Sequence, residues 1–266
     1  MNKITISNKV LSKGISAIYS AVDLKNVDKS LNHIKFSVSG STLTLTGYNT
    51  ELQLISTIPL YEIYEEFSFL IPARKFKELV SAIPDSADVS IHVNHKEMFH
   101  HTITYSGSRA KYKLVGVDPS SFPFIELNDK EDVIDLTVPA SHFHYGLMAV
   151  SDFSATNDVR YFLNGVNLVI TDNSIVFCAT DGHRLSRYDL EIETLTTGTC
   201  IIPRSSVLEL LRQLVKFEGD IKIIITKSHF CFKADGYSYI TSLVDGNYPD
   251  TNRVIPKDNE NVVRIK

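Results

Sequence analysis

No stretch of this chain is long and apolar enough to cross a bilayer. The longest uncharged apolar runs, such as Ile223–Ile225, fall far short of the roughly 20 residues a spanning helix needs. The N-terminal residues Met1–Ile6 alternate like a strand and carry no apolar secretory-signal core. Cysteine is scarce: Cys178, Cys200 and Cys231 are an odd number with no CxxC pair. That argues against a disulfide framework or a zinc knuckle and points to reduced thiols in the cytoplasm. There is no phosphate-binding glycine loop and no HExxH. His92, His95, His100 and His101 crowd a strand-turn-strand region without metal-ligand spacing, so neither a metal nor a cofactor is expected. A positive surplus is missing too: the net charge is −4, whereas a simple nucleic-acid binder is usually basic. What is present is an ordinary globular composition, with 43% hydrophobic and 22% charged residues. A length of 266 residues suggests two domains, each large enough to bury its own core.

The chain repeats itself. Leu70–Val80 and Ile201–Leu211, at an offset of 131, each read as an apolar pair, a proline and a helical pattern with Glu at the same place. Three further segments match in the same order. Ile4–Ser7 matches Leu136–Pro139, and Ser41–Thr46 matches Asn173–Cys178, both at an offset of 132. Asp88–Val93 corresponds to Asp220–Ile225. Ordered matches at one offset indicate duplication. Each half also reads as two strand-helix-strands units, the second starting where Ile71 repeats the role of Ile4.

Helical spacing predicts helices over 8–20, 73–83, 140–151 and 204–216. Their apolar stripes begin with Val10, Leu11, Ile15 and Ile18 and end with Val207, Leu210, Leu211 and Leu214. Pro72, Pro139 and Pro203 sit at helix starts, where a missing N–H costs nothing. The rest mostly alternates, so a strand-dominated α+β fold is expected, with one helix per unit. The helix windows hold Lys9, Lys13, Arg74, Lys75, Lys77, Arg204, Arg212 and Lys216 against Glu78 and Glu209, a surplus of six positive charges. The other 19 basic and 29 acidic residues leave the remainder at −10. Basic helices on acidic sheets suit phosphate neutralisation without base readout.

Four strings carry a family resemblance. Ile71–Phe76, Asp158–Gly165, Ala179–Leu185 and Leu243–Pro256 together resemble the bacterial β sliding clamp, the DNA polymerase III β subunit, along essentially the whole chain. The resemblance implies the DNA-clamp fold, with helices lining a basic bore and antiparallel sheets outside. It implies a non-enzymatic processivity factor of DNA replication, which encircles duplex DNA and tethers the polymerase. It also implies docking of the clamp loader and repair polymerases through short peptides, and a homo-oligomeric ring. On that basis Lys25, Arg74, Asn157, Arg160, Tyr161, Arg204 and Arg212 are expected to face DNA, with Ser205 replacing a basic residue. A partner-peptide pocket is expected at Leu163, Thr180, Gly182, His183, Arg184, Leu185, Pro249, Arg253 and Val254, with Asn252 lowering the rim charge.

Other readings are weaker. Asp181 and His183 invite a catalytic dyad, but neighbours on a turn do not generally form one, and no Ser or Cys nucleophile motif lies nearby. A chain that binds clamp partners without encircling DNA is the alternative from another class. Residues 1–126 and 131–256 are expected to be two clamp domains, and 257–266 to open a third, because Asn261–Lys266 resembles Asp132–Thr137. The implied ring then has two explanations: a shortened chain, or three two-domain chains in place of a head-to-tail dimer.

Overall fold

A computed structural model describes residues 2–94, 99–127 and 134–256. His95 and the expected opening of a third domain at 257–266 lie outside the described residues. The elements run β1 (Asn2–Ser7), α1 (Asn8–Ile18), β2 (His33–Tyr48), β3 (Leu52–Pro72), α2 (Ala73–Ala82), β4 (Asp88–Val93), β5 (His100–Tyr105) and β6 (Tyr112–Val115). A matching series follows: β7 (Ile134–Pro139), α3 (Ala140–Ser151), β8 (Gly165–Thr171), β9 (Ser174–Thr180), β10 (Leu185–Glu191), β11 (Gly198–Pro203), α4 (Arg204–Leu214), β12 (Asp220–Ile225), β13 (His229–Ala234) and β14 (Tyr237–Ser242). Short 3-10 turns fill the gaps, among them Tyr161–Leu163 and Thr251–Arg253.

The helices form where the apolar spacing placed them, and Pro72, Pro139 and Pro203 are the N-cap residues of α2, α3 and α4. One stripe differs. Leu11, Ile15 and Ile18 are buried, but Val10 is 41% exposed, because the buried face of α1 runs through Asn8, Leu11 and Gly14 instead. Asn8 is accommodated there because its Nδ2 donates to the carbonyls of Val80 and Ile83 (3.2 and 2.8 Å), which ties α1 to the end of α2.

The duplication extends to packing. At Gly14 a Cβ would meet Ile58 and Leu45 side chains at 2.7 and 3.0 Å, and at Gly146 one would meet the Phe177 ring at 2.6 Å. Gly146 and Phe177 stand one full repeat beyond Gly14 and Leu45, so each half presses a helix against its sheet at the same place. The Phe177 ring leaves no room for a Cβ at Gly146, whereas one at Gly14 would displace the methyl ends of Ile58 and Leu45.

Three antiparallel sheets result. β1-β4-β5-β6 belongs to the first half and β10-β9-β8-β11 to the second. The third, β2-β3-β14-β13-β12-β7, crosses between them through Tyr237↔Ser56 to Thr241↔Leu52. One continuous apolar core underlies both halves. On the other face of the shared sheet, Ile224, Cys231 and Ile240 make a smaller core covered by Ile55, Ile125 and Leu127. Gln53 pins this connector by accepting from the Ile125 N–H (2.9 Å) and donating to its carbonyl (3.2 Å). Opposite the sheets, α1 packs on α2 and α3 on α4. Ser20, just past α1, donates to Glu209 of α4 at 2.6 Å, so the helices link across the halves.

Candidate functional site

Three segments converge on a groove of about 420 Å3. The first is the end of β9 with its turn into β10, which supplies Thr180, Gly182, His183, Arg184 and Leu185. The second is the 3-10 turn, which supplies Phe162 and Leu163, preceded by Arg160. The third is the segment after β14, which supplies Pro249, Asp250, Thr251 and Val254. Leu163 is fully packed beneath the groove, whereas Val254 is 66% exposed above it. The third segment is anchored by Tyr248, whose hydroxyl accepts the Thr180 N–H at 2.9 Å. Burial raises the Tyr248 phenol above its ordinary range, so it stays protonated. A second anchor joins Arg187 of β10 to Asn252 Oδ1 at 2.6 Å. Asn252 is thus a tether to the sheet edge.

The turn itself is held by Asp181. Its carboxylate accepts the backbone N–H groups of His183 (2.9 Å) and Arg184 (3.0 Å) and pairs with the Arg184 side chain. These bonds, main-chain donors first, pull the Asp181 carboxyl well below the usual carboxylate range. The contact between Asp181 and His183 is through the backbone, which leaves no oriented dyad. Gly182 has φ +89°, and a Cβ there would lie 2.9 Å from the Arg160 guanidinium. Arg160 in turn pairs with Asp158 through two bonds (3.0 and 2.8 Å) and donates to the Asp181 carbonyl at 3.3 Å. The Arg160 side chain holds the Asp158 carboxyl down to about 2.

The helix layer supplies the second surface. Lys9, Lys13, Lys75, Arg212 and Lys216 are exposed, as is Lys25 in the loop after α1. Glu209 is buried, bound by Ser20, Gln213 and Arg212, and Arg74 pairs with exposed Glu78. Beside α4 lies a cleft of about 600 Å3 lined by Asn157, Tyr161, Arg204 and Ser205 among others. Asn157 takes φ +56°, which an asparagine tolerates better than most residues. Among the described residues no three His, Cys, Asp or Glu side chains group so as to hold a metal ion, and no helix is long and apolar enough to cross a membrane.

Comparison with known proteins settles the family. Residues 2–126 match the DNA polymerase III beta subunit N-terminal domain, and residues 137–250 match its central domain. The chain belongs to the bacterial β sliding clamp family. A beta sliding clamp from Pseudomonas putida is 28% identical over 261 residues, covering 97% of this chain and 69% of that protein. The crystal structure of the DNA polymerase III subunit beta from Pseudomonas aeruginosa superposes with a TM-score of 0.90 at 25% identity, over 97% of this chain and 69% of that one. A clamp from the same organism bound to griselimycin gives 0.88 at 26% identity, with the same coverage. Clamps of this family are non-catalytic processivity factors of DNA polymerase III.

In this member of the clamp family, eight of the nine residues expected in the pocket line one groove, and Arg253 stands at its edge, paired with Asp250. Phe162, Asp250 and Thr251 were missed; the first two neighbour an expected residue and Thr251 lies two from one, and only the three-segment geometry brings them in. Two expected DNA-facing residues are placed differently. Arg160 turns away from Asn157 and Tyr161 into the groove, because Asp158 and the Asp181 carbonyl draw its guanidinium there. Arg204 is half-buried and donates to Ser151 O and Ser154 Oγ, so it caps the end of α3.

Proposed function

We propose that this chain works as a DNA sliding clamp. It encircles duplex DNA without reading sequence, tethers the replicative polymerase and offers its groove to short peptides of polymerases, the clamp loader and repair proteins. Residues 1–126 and 131–256 serve as two clamp domains, in the cytoplasm and with no cofactor. The observation that carries the reading is the division of the molecule. Basic side chains gather on helices joined into one layer, and the acid lies on sheets and loops. Such a layer neutralises phosphates and allows sliding, because no contact specifies a base.

Lys25, Arg74, Asn157, Tyr161 and Arg212 are the side chains proposed to meet DNA, with Arg204 holding α3 in place for them. Ring formation draws support from the repeat. The edge of β3 that β14 covers has its counterpart one repeat later in β10, which is a sheet edge. The groove is concave and floored by Leu163 and Leu185, a form suited to apolar anchors of a partner peptide.

Retention on circular DNA after incubation with clamp loader tests the proposal. The clamp is expected to stay on closed circles and to leave when they are linearised. Replacing Arg212 and Lys25 by Ala should lower the slope of log affinity against log salt by about two, one per lost phosphate contact. Absence of retention on any circle would overturn encirclement.

A further inference from the structure

The groove is rimmed by one local device used three times. In each case an aspartate accepts a backbone N–H two or three residues ahead and pairs with an arginine two or three residues ahead. Asp158 accepts Arg160 N (2.8 Å) and holds the Arg160 guanidinium at 2.8 Å. Asp181 accepts Arg184 N (3.0 Å) and holds Arg184 Nε at 3.0 Å. Asp250 accepts Asn252 N (3.1 Å) and holds Arg253 Nε at 3.0 Å. The three pairs lie on three separate segments, yet they surround a single groove. Their formal charges cancel.

We propose that Asp158, Asp181 and Asp250 are specificity-determining residues that cancel the long-range field of the rim, so that the groove selects peptides by apolar fit and short-range hydrogen bonds instead of net charge. This rests on the groove being the peptide site. The geometry favours a role in the potential over one in stability. Exposed pairs of this kind contribute about 0–1 kcal/mol, too little to account for three copies around one site. Charges about 3 Å apart act as a dipole beyond the ~8 Å Debye length of physiological salt, so a distant acidic peptide feels little pull. Close in, the balance differs. In every pair the arginine side chain is more exposed than its acid: 48% against 23%, 59% against 25%, and 84% against 51%. The guanidiniums therefore present donors to a peptide that has already arrived. A rim of bare arginines would instead accelerate any acidic segment, since rim charges act mainly on association rate and its salt dependence.

The test is stopped-flow association of the full chain with two short synthetic peptides that share leucine and phenylalanine anchors. One carries flanking glutamates and the other glutamines, and the work is done near pH 8, above the range of imidazole titration. For the unaltered chain both rates should agree within about twofold and change by less than about twofold between ~50 and ~500 mM NaCl. The Asp181→Asn/Asp250→Asn variant keeps both turns, because an amide oxygen still accepts the backbone N–H. The ratio of its acidic-peptide rate to its neutral-peptide rate should rise about tenfold at low salt only. Asp158→Asn, on a separate segment, should shift the acidic peptide in the same direction by less. A steep salt dependence in the unaltered chain would overturn the proposal, as would an acidic preference that neither variant changes. If neither peptide binds, the groove is not the peptide site and both readings fall together.

Discussion

The two halves of the molecule contain the same turn, put to different uses. Between β2 and β3, Asn49 Oδ1 accepts the N–H groups of Glu51 (3.3 Å) and Leu52 (2.9 Å), and Thr50 takes φ +78°. One repeat later, Asp181 accepts His183 and Arg184, and Gly182 takes φ +89°. The backbone is duplicated down to a left-handed residue. In the first half the strand after the turn is covered by β14 and Gln53 clasps the connector. In the second half the matching Leu185 lines the groove, and glycine leaves room for Arg160. The duplicated turn keeps its scaffold in both halves, and the groove proposed to bind peptides lies where one copy of the edge is open.

Exchanging the two left-handed residues should break this comparison most sharply. Gly182→Thr places a branched side chain against the Arg160 guanidinium. With strain of about 1–3 kcal/mol, peptide affinity should fall about tenfold by fluorescence anisotropy. The reverse change, Thr50→Gly, relieves a branched residue at positive φ and should leave peptide binding untouched while stability rises by about 0.5–1 kcal/mol. Equal effects of the two changes on binding would mean that the turns are not functionally distinct.

A second contrast uses the paired helix acids. Glu209 is buried between Ser20 and Gln213, whereas its counterpart Glu78 is exposed and pairs along its own helix with Arg74. Glu209→Ala should cost about 1–3 kcal/mol in urea unfolding because it strands the buried Gln213 amide. Glu78→Ala should change stability by less than about 0.5 kcal/mol. Similar costs would show that the helix layer is not tied together at Glu209.

The smallest expected effect is on pH dependence and comes from a first-half residue with no histidine at the matching second-half position. His33 is buried, donates from Nδ1 to the Lys29 carbonyl (2.7 Å), and has its imidazole pushed below the ordinary range by burial. As pH falls, the unfolded chain protonates His33 near pH 6.5, before the folded protein does. Its contribution to stability is therefore complete above about pH 6.5 and declines as pH falls toward the folded value. The matching position in the second half is Gly165, so His33→Gln should flatten the profile between about pH 7.5 and 5.5. A decline that survives the substitution would place the proton elsewhere.

Much of this was legible in the residues. Apolar spacing marked all four helices, and the ordered repeats fixed which strands correspond. The strings Ala179–Leu185 and Leu243–Pro256 located two walls of the groove, although they stand far apart along the chain. What the sequence did not reveal was direction. Arg160 and Tyr161 are neighbours at the start of one 3-10 turn, yet one enters the groove and the other the cleft beside α4, and only the position of Asp158 and Asp181 decides which. Val10 looked like part of a stripe until Asn8 and Gly14 took the buried face. The pairing of β3 with β14 left no local mark, because strand edges carry no address in their side chains.

That pairing has a mechanical consequence. The halves are joined by main-chain bonds running across two antiparallel strands over Tyr237–Thr241. Tension directed along those strands loads the bonds in parallel, so they resist together and fail together. A pull at right angles opens them singly, like a zip. Because the sheet passes from one half to the other across its strands, the joint should resist sliding of the halves along β3 and β14 more strongly than their separation across them.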